Sequence, residues 1–136
     1  MTTAVSASAE LIKVPTDKTV SAALDALEGA LANAGATVFA RIDHAAGAAK
    51  VDMSINDAQV LIFGNPALGT PAMQADLRAG LYLPLRALAY QDAEGQVWIT
   101  YEDPADTFAG LNIPADAPFV AKMQGALGKL TAAAAN

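Results

Sequence analysis

Apolar and polar positions along this chain repeat at two periods, and each change of period marks an element. "AELIKVP" alternates loosely and stops at Pro15, which predicts a short first strand and a turn. Val20, Ala23, Leu24, Leu27 and Leu31 then recur at helical spacing, with Asp25 and Glu28 on another side. Thr16 or Asp17 is the expected cap of this helix, and Gly35 can take the left-handed conformation that ends it. In "ATVFARIDH" the period returns to two, so Phe39, Arg41 and Asp43 share one face and Val38, Ala40, Ile42 and His44 the other.

The next segment, "AAGAAKVDMSINDA", suits either a short helix or a loop over Ala48 to Met53, with Gly47 arguing for a turn. "QVLIFG" is an apolar run closed by Asn65 and Pro66, the pattern of an inner strand. Two or three short helical turns fit "PALGTPAMQADLRAGLYLP", with Thr70 placed to cap one that begins at Pro71. "LRALAYQ" and "QVWITYE" alternate around "DAEG", which predicts an antiparallel hairpin with Trp98 and Thr100 on one face and Tyr101 on the other. A last helix carries Val120, Met123, Leu127 and Leu130; Gly125 and Gly128 weaken it but permit close approach of another element, and "TAAAAN" should fray.

These elements predict one α+β domain over residues 1–136, with its first eight and last five or so residues flexible. It is a two-layer sandwich in which two main helices cover one face of a mostly antiparallel sheet of about five strands. The other sheet face then needs a cover, and a second copy of the chain, a homodimer, is the expected one.

Composition narrows the function classes. With 14 acidic and 8 basic residues the net charge is −6, which opposes binding to a phosphate backbone, so no nucleic-acid partner is expected. No apolar run reaches the ~20 residues of a spanning helix, and "MTTAVSASAE" lacks the features of a signal peptide. The compartment, cytoplasm or periplasm, stays open. The absence of cysteine excludes disulfides, thiolate metal sites and a cysteine nucleophile.

Candidate chemistry gathers in two stretches. His44, the single histidine, is an acid or base near neutral pH, or a ligand contact. No second histidine or calcium-loop spacing joins it to Asp43, Asp52, Asp57 or Glu102, so no metal site is assigned. Haem ligation by His44 with Met53 or Met73 lacks an attachment motif, and the cofactor is left unknown. "GNPALGT" is a strand-to-helix turn whose amides, with Asn65 and Thr70, would suit a small anion; it is not a P-loop. Arg41 and Arg86 would either clamp a carboxylate or pair within the fold with Asp43, Asp76 or Glu102. Neither Ser54 nor Thr70 lies in a GxSxG context.

"VFARIDHAAGA", "LIFGNPALGTPAMQ" and "AGLYLPLRALAYQDAEGQVWITYEDPA", in this order from Val38 to Ala105, closely resemble the DUF302 family, a bacterial domain of unknown function. The resemblance implies a compact α+β domain, often dimeric, sometimes exported and sometimes joined to other modules. It carries no substrate and no catalytic assignment.

The functional expectation is a homodimeric small-ligand-binding module, with His44, Arg41, Asn65, Thr70 and Arg86 as binding residues and a small anionic ligand as a possible partner. Two alternatives stand beside it. One is an enzyme using His44 as acid or base with Arg41 or Arg86 stabilising negative charge. The other is a protein-interaction domain with no small-molecule site.

Overall fold

The computed structural model describes residues 10–136; the expectations that no signal peptide is present and that the start is flexible fall on residues outside these. Five strands, β1 (Ile12–Thr16), β2 (Thr37–Asp43), β3 (Ala58–Gly64), β4 (Leu85–Gln91) and β5 (Val97–Tyr101), form one sheet in the order β1-β5-β4-β3-β2. Every neighbouring pair is antiparallel. Two long helices, α1 (Val20–Asn33) and α5 (Pro118–Ala135), cover one face. Leu24, Leu27 and Leu31 of α1 are fully buried against Leu61, Phe63, Ile99 and Leu127. Each such leucine contributes about 1.5 to 3 kcal/mol by leaving water.

The class and the five-strand sheet are as the pattern predicts, but the helix count is not. Three short helices are added among the described residues: α2 (His44–Ala49), α3 (Pro66–Ala75) and α4 (Pro104–Thr107), with a 3-10 helix at Leu77–Leu81. Local caps make them possible where apolar periodicity is weak. Asp43, Asn65 and Asp103 each accept a backbone amide of the turn that follows. These pieces pack Ala72, Ala79, Phe108 and Ile113 against Val120 and Met123, a second apolar cluster at the N-terminal half of α5.

Several local expectations are corrected. The α1 cap is Thr19, whose hydroxyl accepts the Ala22 amide at 3.1 Å, and not Thr16 or Asp17. Thr16 instead donates to the Ala135 carbonyl at 2.8 Å, while the Lys18 ammonium donates to the carbonyls of Ala134 at 2.7 Å and Asn136 at 2.8 Å. The alanine tail is thereby held in helix to Ala135, with Ala134 fully buried. α3 starts at Pro66 rather than Pro71, because Asn65-Pro66 is already a complete cap and first-turn signal. Gly125 and Gly128 meet no neighbour, since a Cβ on either would have nothing within 4 Å.

Strand β2 does not alternate throughout. Its register against β3 shifts between Val38 and Ala40, so Phe39 is an extra residue in the ladder. After the shift Arg41 lies opposite the buried Leu61, on the helix-covered face with Val38, while Ala40 and Ile42 lie on the open one.

Candidate functional site

The proposed binding residues fall into three places. His44 follows the end of β2 that pairs with Gln59, whereas Asn65 follows the end of β3 that pairs with Thr37. Six residues of ladder separate these ends, about 20 Å. They are not walls of one site.

Arg41 is engaged within the fold. Its guanidinium donates to Asp25 at 2.7 Å, Glu28 at 2.7 Å, Gln59 at 2.8 Å and the Ser21 carbonyl at 3.0 Å. Partial burial pulls its pKa down, but the hydrogen bonds and charges of Asp25 and Glu28 more than reverse this. Its partners are these α1 carboxylates, not Asp43, Asp76 or Glu102, and it locks β2 and β3 to α1.

His44 and Arg86 share a cleft of about 350 Å³ that reaches the open sheet face, with Tyr82, Thr100 and Glu102 on its walls. His44 is the first residue of α2 rather than a strand end, because Asp43 accepts the Ala46 amide at 2.9 Å and turns the chain into helix. Both His44 and Arg86 are exposed, and neither takes part in an ion pair or side-chain hydrogen bond among the described residues. Glu102 accepts the Thr107 hydroxyl at 2.7 Å instead of meeting Arg86. The oriented partner that acid/base work by His44 requires is therefore not formed.

Asn65 and Thr70 line a different cavity, of about 270 Å³, beneath α3. Asn65 is extended (φ −139°, ψ 119°) and its carbonyl-type oxygen accepts the Ala67 amide at 3.0 Å, so its acceptor is spent on starting α3. The Thr70 hydroxyl and the Asn65 amide nitrogen make no side-chain hydrogen bond among the described residues and are the polar side-chain groups left free at this wall. Leu68, Met73, Leu83 and Met123 supply the bulk of the lining, with Phe39 at the β2 side. No charged side chain lines it.

Three glycines let lining side chains close directly on backbone. A Cβ on Gly64 would lie 3.4 Å from the Phe39 ring, one on Gly69 3.5 Å from Leu83, and one on Gly80 3.4 Å from the Met73 sulfur. Phe39, Met73, Leu83 and Met123 were not legible as a site, since periodicity reads each as core or loop. Their nearest signal was the run of glycines, Gly64, Gly69 and Gly80, between apolar neighbours.

Outside the lining of either cavity, Asp76 binds the Arg78 guanidinium at 2.8 Å and accepts the amides of Arg78 and Asn112 at 3.0 Å. The Arg78 hydrogen bonds, followed by the Asn112 amide, hold its carboxyl well below the usual carboxylate range. Among the described residues no group of three His, Asp or Glu is arranged to hold a metal ion, and no buried side-chain polar atom lacks a partner.

The sequence model of one family, the domain of unknown function DUF302, matches residues 12–134. The chain belongs to the DUF302 family. The fold agrees with that of an uncharacterized conserved DUF302 protein from Bacillus stearothermophilus: TM-score 0.83, 18% identity, covering 91% of this chain and 97% of that one. Curated relatives of this DUF302 chain include fluoride-specific ion channel FluC 1 of Brucella suis, 39% identical over 95 residues, which are 70% of this chain and 37% of that protein. FluC 1 of Brucella abortus and FluC 2 of Brucella melitensis match equally, at 39% over 95 residues and 35% of their lengths. The match thus spans about a third of these relatives. No helix of the described residues is long and apolar enough to cross a membrane.

Proposed function

We propose that this DUF302 domain is a homodimeric module that binds a small molecule in the cavity beneath α3. The observation that carries the proposal is the cavity itself: about 270 Å³, concave and largely apolar, with the Asn65 amide nitrogen and the Thr70 hydroxyl free at its wall. Such spaces with few polar groups are the usual form of small-molecule sites. An anionic ligand is not part of this reading, because no cation lines the cavity and an unpaired charge is costly to desolvate. For the same reason fluoride, named for the Brucella relatives, is a poor occupant.

The dimer part of the proposal rests on the open sheet face. By register, Ile42, Val60, Ile62, Leu88, Tyr90 and Trp98 point away from α1 and α5. Packing of two such faces about 10 Å apart would bury them.

Native mass spectrometry of the chain purified from its natural host tests both parts. A dimer with a non-covalent mass excess, lost on denaturation and absent in Gly69→Leu, is the expected result. A clean dimer without excess would overturn the small-molecule site in favour of a protein-interaction domain. A monomer would overturn the dimer.

A further inference from the structure

We infer that the cavity beneath α3 selects a neutral molecule bearing an aromatic ring; the inference rests on the small-molecule reading above. Size sets the scale. Apolar cavities of about 150 Å³ accept a benzene ring. At about 270 Å³ this one has room for a second ring.

The wall chemistry sets the class. Two thioethers, Met73 and Met123, face the same space as the Phe39 ring. Sulfur and aromatic edges both gain from contact with a π-system beyond the area they cover. Gly64, Gly69 and Gly80 let Phe39, Leu83 and Met73 pack directly against backbone, which holds these lining side chains in place. Polar contact is left to the Asn65 amide nitrogen and the Thr70 hydroxyl, because the Asn65 oxygen is already taken by Ala67. A charged group would enter without a partner.

The test uses methyl-labelled methionine NMR. The chain has four methionines, Met1, Met53, Met73 and Met123, of which two line the cavity and the exposed Met53 is an internal control. Titration with indole should shift Met73 and Met123 saturably and leave Met53 in place. Indole-3-acetate should bind at least about tenfold more weakly, because its carboxylate has no partner there, and 1-adamantanol should also bind more weakly than indole, because it offers the thioethers and the Phe39 edge no π-system. Gly69→Leu, which keeps its helix by circular dichroism, should lose the indole shifts. Equal or tighter binding of indole-3-acetate or 1-adamantanol at the same two methyls would overturn the ligand class and leave the cavity as a site. No shift at Met73 and Met123 with any probe, or indole shifts that persist in Gly69→Leu, would overturn the site as well.

Discussion

Gly64 and Phe39 meet where β2 and β3 fall out of simple register: a Cβ on Gly64 would lie 3.4 Å from the Phe39 ring. The bulge brings Phe39 out of the ladder, and the missing side chain leaves it room at the cavity wall. Gly64→Ala should therefore be tolerated, since the ring has only to give by a few tenths of an ångström. Gly64→Leu should fold but return from the host without the non-covalent mass, because the new side chain must displace Phe39 or fill the cavity. Retention of the full ligand mass in Gly64→Leu would contradict the assigned wall.

Gly125 and Gly128 sit inside α5 with nothing within 4 Å of an added Cβ. Close approach does not explain them, so their helix cost is unrelieved. Gly125→Ala and Gly128→Ala should each stabilise the fold by about 0.5–1 kcal/mol. Urea titration checks this; a loss of stability in either variant would mean that α5 meets something at these positions, a partner chain included.

Leu88 lies near the middle of the open face, between Val60 and Thr100 in register. Leu88→Asp should give a folded monomer where the wild-type chain is a dimer by sedimentation equilibrium. A variant that stays dimeric would place the interface elsewhere.

Asp76 links pH to stability. Its pKa is lowered in the fold by the Arg78 hydrogen bonds and the Asn112 amide. A group depressed in this way stabilises the folded state above its unfolded pKa, about 3.9 for aspartate, and loses that contribution as pH falls toward the folded value. Asp76→Asn should be less stable than wild type at pH 7, and the gap should close on acidification below about pH 4. A gap that stays constant across that range would show that the charge of Asp76 is not what holds the 3-10 helix to Asn112.

The strongly periodic parts of the fold were legible. The α1 stripe and the Leu85–Gln91 and Val97–Tyr101 hairpin stand where alternation and the Asp92–Gly95 turn place them. Gly95 is left-handed at φ 87°, and Asp92 accepts the amides of Glu94 and Gln96. Short helices were less legible because their signals are single caps. Asn65-Pro66 and Asp43 each outweigh a weak apolar pattern, so α3 begins early and His44 enters a helix. The Phe39 bulge has no local signature, and it reverses the face assigned to Arg41.

The site was hidden for a different reason. Its walls come from residues 39, 64, 69, 73, 83 and 123, and only the folded topology brings them together. The separation of His44 from Asn65 was within reach: if β2 and β3 are antiparallel neighbours, the residues following each strand lie at opposite ends of the pair. What remained unreadable was which arginine would find a carboxylate. Arg41 did, through α1, and Arg86 did not among the described residues.

The measurement that tests the central claim most directly is a crystal structure of the chain under xenon pressure. Apolar cavities take up xenon, whereas polar ones hold ordered water. The account predicts a xenon atom among Met73, Leu83 and Met123, absent in Gly69→Leu. A cavity closed by these side chains, or filled by hydrogen-bonded waters in place of xenon, would contradict it.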